Sequence, residues 1–182
     1  ETFEAANSAL SVVLVLDVSG SMALKLREAR AAALEFLSAL KPGDRAAVLT
    51  FASNVVGFTP FSTDRAVSRK ALEDARVSGE TALYDATAVA LRRLRETSGR
   101  RAVVLFTDGE DNRSRMSIDQ VVDLARATEA SVFSVAQGVA DVKALYRGLD
   151  RLARETGGRA WFISAIRTLP GVFREVVAEP GR

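Results

Sequence analysis

The 182-residue sequence contains no cysteine and no histidine. Without cysteine there is no disulfide framework, and the redox compartment is left undetermined. The two absences together exclude Ser-His-Asp and Cys-His hydrolysis, Cys/His zinc sites and imidazole acid–base chemistry. Charge of one sign is not in excess either: 25 Lys+Arg stand against 23 Asp+Glu, a net charge of +2. With no long basic block, that balance gives no reason to expect a nucleic-acid partner. Long hydrophobic runs are missing as well. The longest, Val12 to Leu16, is far below the roughly 20 residues of a membrane span, and no signal-peptide pattern precedes it. Direct membrane insertion is therefore not expected, and any chemistry must use carboxylates, hydroxyls, amides or a hard metal ion.

What is present is the composition of an ordinary globular protein, 48% hydrophobic and 26% charged. A chain of this size buries roughly 70% of the surface of its unfolded form, enough to stand without staples. A single domain over 1–182 is expected, with a core of about 11–178 and flanking segments 1–10 and 179–182. Because it starts at Glu1, the chain is expected to be an excised or processed piece whose targeting signals lie outside it.

Short buried runs alternate with helical periodicity along the chain. Ser11–Leu16, Ala46–Phe51, Ala102–Thr107, Ser131–Ala136 and Ala160–Ile163 read as strands, the first as one covered on both faces. Val55–Phe58, after a tight turn at Ser53-Asn54, reads as an antiparallel edge strand beside the second. Helices are expected over Met22–Leu40 with Ser21 as N-cap, from Thr63-Asp64 to Arg76, and over Ala82–Glu96. Further helices are expected over Ile118–Ala127, within Asp141–Glu155, and near Leu169–Val177. This alternation predicts an α/β fold, a doubly wound, Rossmann-like central sheet of about six strands. Five would be parallel and one an antiparallel edge, with helices on both faces.

Ligands of such sheets bind beyond the carboxyl ends of the strands, where strand order reverses. The first strand ends in Asp17-Val18-Ser19-Gly20-Ser21, and the strand expected beside it across the reversal ends in Thr107-Asp108-Gly109. Neighbouring strands lie roughly 4.8 Å apart, so Asp17 and Asp108 should converge, and two carboxylates so placed repel unless something positive lies between them. Ser19, Ser21 and Thr81 bring hydroxyls to the same edge. An oxygen-only set of this kind suits Mg²⁺ or Mn²⁺.

Plainer readings exist for each residue. Ser19 and Ser21 could form only a strand-to-helix turn and cap, Asp108-Gly109 an ordinary turn, and Thr81 an N-cap for the helix after it. Asp85 sits where a carboxylate favours the helix dipole, with an outer role behind a metal ligand as the alternative. Glu110, Asp111 and Asn112 are expected at the rim of the site without binding an ion. Arg92, Arg93, Arg95, Arg100 and Arg101 read as a solvated face, and Trp161 as packing.

Asp17-x-Ser19-x-Ser21, then Thr81 in Gly-Glu-Thr-Ala-Leu-Tyr-Asp, then Asp108 in Phe-Thr-Asp-Gly-Glu-Asp-Asn, together resemble the von Willebrand factor A domain with a complete metal-ion-dependent adhesion site. The resemblance runs from Val12 to about Val177 and is closest to bacterial members. Leu152-Ala-Arg-Glu-Thr-Gly-Gly-Arg-Ala is similar to the family's penultimate helix leading into its last strand. No inserted helix of the integrin type matches, so the integrin mode of signalling is not carried over.

The resemblance implies a Mg²⁺ site, with Mn²⁺ or Ca²⁺ as alternatives, built from Asp17, Ser19, Ser21, Thr81 and Asp108. Ser19 and Ser21 would bind the ion directly, Thr81 directly or through water, and Asp17 and Asp108 mostly through waters. The open position would take an Asp or Glu of a protein partner, making the domain an adhesion-type interaction module rather than an enzyme, monomeric in isolation. Secreted, periplasmic or cell-surface placement is favoured over cytoplasmic. Two other readings stand beside it: a subunit working with an AAA-type ATPase, and a Mg²⁺-dependent phosphoryl-transfer enzyme using Asp17 as nucleophile. Ser19 stands where such enzymes carry a second Asp, and no phosphate-binding loop is present.

Overall fold

A computed structural model describes residues 8–108, 111–137, 143–163, 174, 176 and 177. Eight consecutive buried residues make the first strand, β1 (Leu10–Asp17), and their alternate side chains feed two separate cores. Leu10, Val12, Leu14 and Leu16 pack with α1 (Leu26–Ala39) and with Leu72 of α2 (Arg65–Asp74). Val13 and Val15 pack on the other face with α3 (Leu83–Leu94), α4 (Ile118–Thr128) and α5 (Lys143–Glu155). A continuous apolar run is what a strand needs when both its faces are covered by helices.

The remaining strands are β2 (Arg45–Phe51), β3 (Val55–Phe58), β4 (Arg100–Thr107), β5 (Ala130–Gln137) and β6 (Ala160–Ile163). They form one sheet in the order β3-β2-β1-β4-β5-β6. Among the described strands only β3 is antiparallel, paired with β2; the other strand pairings are parallel. This is the expected six-stranded doubly wound sheet, and its order reverses between β1 and β4. Leu16 pairs with Phe106, so the two strands end level with each other at Asp17 and Thr107-Asp108. Trp161 stacks on Phe133 with ring centroids 6.0 Å apart, in keeping with a packing role.

Three local expectations are corrected. The helix expected from Met22 begins only at Leu26. The Ser19 to Lys25 stretch winds more tightly, with Met22 N–H donating to Ser19 O and Lys25 N–H to Met22 O, so a short 3₁₀ turn at Gly20–Met22 precedes α1 and Ser21 caps nothing. Thr81 is not an N-cap either: that position belongs to Ala82, which has no side-chain oxygen. Arg100 and Arg101 are not a solvated face. The Arg101 guanidinium is bonded to the carbonyls of Leu94, Thr97 and Thr128, tying the end of α3 to the end of α4, and Arg100 donates to Val177 O. Arg92, Arg93 and Arg95 are exposed. The helix expected near Leu169–Val177 lies outside the described residues except for Arg174, Val176 and Val177, which are helical. No helix among the described residues is long and apolar enough to cross a membrane.

Candidate functional site

Asp17 closes β1 and is fully buried. Its Oδ1 accepts the Ser19 backbone N–H at 2.9 Å and its Oδ2 the Thr107 hydroxyl at 2.7 Å, so both oxygens are oriented. Burial pushes its carboxyl from the ordinary 3.8 up to about 6; the hydrogen bonds from Ser19 and Thr107 oppose the rise and the neighbouring Asp108 adds to it. A carboxylate desolvated beside a second acid is short of positive charge.

The loop after β1 supplies the hydroxyls. Ser19 is buried and its Oγ lies 3.1 Å from that of the exposed Ser21. Gly20 N–H donates to Gly79 O at 2.9 Å, which joins this loop to the segment carrying Thr81, itself buried. Gly79 has φ +63°, and a Cβ there would stand 2.7 Å from Ser53 Oγ. The positive φ favours glycine, and a Cβ would displace the Ser53 hydroxyl.

Thr81 is held from a third direction. Its N–H donates to Asn112 Oδ1 at 3.0 Å, and its carbonyl accepts the N–H groups of Asn112 and Arg113. The free N–H groups at the start of α3 are taken up by side chains far along the chain: Tyr84 N–H by Asp111 Oδ2 and Asp85 N–H by Ser114 Oγ. Asp85 in return accepts the N–H groups of Arg115 and Met116. Asp111, Asn112 and Asp85 therefore brace the Thr81 loop rather than face the hydroxyl cluster, and Glu110 lies outside the described residues.

Asp108 follows β4 with its side chain only 7% exposed, and Lys25 Nζ stands 3.2 Å from its Oδ2. Among the described residues no three acids group together. The convergent set is two carboxylates with hydroxyls around them. The structure brings Asp17, Ser19, Ser21 and Asp108 to one corner at the β1/β4 reversal, and places Thr81 on the loop bonded to that corner. Sequence reasoning missed two participants. Thr107 was detectable as a lone hydroxyl ending an apolar strand, whereas Lys25 carried no signal distinguishing it from any surface lysine.

A doubly wound sheet with a cluster of carboxylates and hydroxyls at its strand-order reversal defines the class of α/β domain to which the chain is compared. The chain matches the von Willebrand factor type A domain over residues 12–110, more than half its length, and belongs to that family. It is 29% identical over 138 residues to an uncharacterized protein of Borreliella burgdorferi, covering 70% of this chain and 40% of that protein. The chain thus spans about two fifths of the length of the curated relative it matches. In fold it is similar to the von Willebrand factor type A protein from Catenulispora acidiphila, with a TM-score of 0.75 and 22% identity over 95% of this chain and 43% of that one. It is equally similar to the vWF domain of the type V pili tip protein Mfa5 from Porphyromonas gingivalis. There the TM-score is 0.75 and the identity 10%, over 93% of this chain and 94% of that one.

Proposed function

We propose that the domain is a metal-dependent protein-interaction module whose corner of Asp17, Ser19, Ser21, Thr81 and Asp108 holds a Mg²⁺ ion and receives an acidic side chain of a protein partner. The observation that carries this reading is the placement of buried Asp17 beside Asp108, with the Ser19 and Ser21 hydroxyls 3.1 Å apart on the adjoining loop. The donor set fits the ion: every group is a hard oxygen, and of the two acids Asp108 has the Lys25 ammonium beside it whereas Asp17 has no cationic partner among the described residues. Mn²⁺ or Ca²⁺ would satisfy the same chemistry.

Ser19, Ser21 and Thr81 would contribute neutral oxygens and Asp17 and Asp108 the charge, held mostly one water away. Neutral nearest donors leave the ion electrophilic, so an incoming Asp or Glu meets a charge that is only partly neutralised. The part of Asp17 in this arrangement is orientation: with the Ser19 N–H on one oxygen and the Thr107 hydroxyl on the other, it stays in place whether or not the ion is bound. The same burial argues against Asp17 as a phosphoryl-accepting nucleophile, which needs an oxygen open to an incoming phosphorus atom. Domains of this family are generally interaction modules, and the fold it shares with a pilus tip protein favours a secreted, periplasmic or cell-surface setting.

Titration of ¹⁵N-labelled protein with Mn²⁺ tests the reading. Paramagnetic broadening centred on Ser19 to Met22, Thr81 and Asp108, reversed by excess Mg²⁺ and absent in Asp17→Ala, is the expected result. No localised broadening at millimolar Mn²⁺ would overturn it.

A further inference from the structure

Beside the Thr81 loop lies a cleft of about 480 Å³ lined by Ser53, Asn54, Asp85, Arg113 and Arg115. Every lining residue is polar. The cleft is tied to the loop that carries Thr81: Ser53 Oγ accepts the Glu80 N–H at 2.9 Å, and Arg113 N–H bonds the Thr81 carbonyl at 3.1 Å.

The charges in the cleft are not equivalent. Asp85 is turned onto the main chain, its oxygens taken up by the N–H groups of Arg115 and Met116 rather than by either guanidinium. Arg113 pairs with Glu80 at 2.7 Å, but both side chains are more than half exposed, at 58% and 57%. An ion pair that open to water is worth little and exchanges readily. The exposed Arg115 guanidinium makes no hydrogen bond or ion pair among the described residues. Two guanidinium groups are therefore on offer, one without a partner and one with a replaceable partner. Their planar donor forks match a carboxylate.

We propose that this cleft is a carboxylate-accepting subsite, and that the partner is an acidic segment offering one Asp or Glu to the Asp17–Asp108 corner and a second, a few positions along, to Arg113 and Arg115. The first contact rests on the metal reading above; the second does not need the ion. Glu80 occupies Arg113 in the interim and gives way to the incoming acid, keeping the arginine extended toward the cleft until then.

The test uses ¹⁵N-labelled protein, following the arginine Nε–Hε signals, with acetylated and amidated tetra-glutamate as probe and tetra-glutamine as control. In EDTA, tetra-glutamate is expected to shift the Arg113 and Arg115 signals saturably at millimolar concentration, while Arg92 and Arg95 stay in place and tetra-glutamine does nothing. Arg115→Ala, which removes an exposed side chain and leaves the fold spectrum intact, should weaken binding at least fivefold, and Arg115→Glu should abolish it. Excess Mg²⁺ should tighten binding about tenfold in the wild type but not in Asp17→Ala. Equal shifts at Arg92 and Arg95, or none at Arg113 and Arg115, would overturn the subsite. Arg115 shifts that persist while Mg²⁺ adds nothing would retain the cleft and sink the metal reading. Peptide binding that needs Mg²⁺, perturbs Ser19 to Met22 and ignores Arg115→Ala would do the reverse.

Discussion

The ammonium of Lys25 lies 3.2 Å from Oδ2 of Asp108, a carboxylate that the fold otherwise buries beside Asp17. Eighty-three residues separate the two in sequence, and the tight winding of the Ser19–Lys25 stretch is what delivers the lysine to that corner. A divalent ion held by the same carboxylate would face this ammonium at close range, so lysine and metal compete for one negative charge. Lys25→Met is expected to tighten Mn²⁺ binding about two- to fivefold, the modest figure reflecting that the lysine is 30% exposed and screened by water. Relaxation enhancement of water protons during Mn²⁺ titration measures it. Unchanged or weaker affinity would show that Lys25 supports the site instead.

Asp17 should give the metal-free protein a distinctive pH dependence. Its carboxyl titrates near 6 in the folded state and near 3.8 when unfolded, so the folded protein holds this proton more tightly. Stability therefore gains from Asp17 as pH falls from about 6 towards 3.8, and loses that contribution as pH rises through about 6. In EDTA, urea denaturation should show the wild type losing stability relative to Asp17→Asn as pH rises across this window, with a constant difference above it. Excess Mg²⁺ should reverse the trend, since a bound cation favours the ionised acid. A difference independent of pH in EDTA would contradict the buried-acid account.

The architecture and the candidate site were legible in the sequence to different depths. Each strand announces itself as a short apolar run, and the runs ending in Asp17 and Asp108 locate the reversal because sheet order governs where polar ends meet. Boundaries failed where the backbone departs from a single period: the 3₁₀ turn at Gly20–Met22 looks like a first helical turn in sequence, and Ser21 looked like its cap. The capping of α3 was illegible for another reason. Its donors are satisfied by Asp111 and Ser114, more than two dozen residues away, and no local pattern encodes such a partner. Arg101 misled in the same way, since an arginine that wraps carbonyls reads in sequence like one that faces water.

Gly79 is the position at which a single methyl group should separate loop geometry from ligand chemistry. Alanine there must adopt φ +63° and bring its Cβ within 2.7 Å of Ser53 Oγ, the oxygen that holds Glu80. Gly79→Ala is expected to cost about 1–2 kcal/mol in stability, from the strained backbone and the clash together. It should also release the Gly20 N–H to Gly79 O bond and weaken Mn²⁺ binding without touching any candidate ligand. Denaturation midpoints and Mn²⁺ titration on the same variant check both effects. Full metal affinity in a destabilised protein would show that the loop tether is structural only.

Asp111 offers the sharpest test of the remote bracing of Thr81. Its Oδ2 takes the Tyr84 N–H at the start of α3 and its Oδ1 the Ser114 N–H, so one carboxylate both caps the helix and folds the 111–116 segment back on it. Removing a capping carboxylate typically costs about 1 kcal/mol. Asp111→Ala should show that loss, and amide exchange should speed up first at Tyr84, Asp85 and Ser114. Because Asn112 and Arg113 hold the Thr81 main chain from the same segment, the Thr81 amide should lose protection with them, while Ser19 and Gly20, whose bonds run to Asp17 and Gly79, keep theirs. Asp111→Asn keeps an oxygen acceptor and should restore most of the protection. If exchange at Thr81 is unmoved in Asp111→Ala, the 111–116 segment caps the helix without positioning the site, and Thr81 is held through its neighbours, by the Gly20–Gly79, Glu80–Ser53 and Ala82–Ala52 bonds.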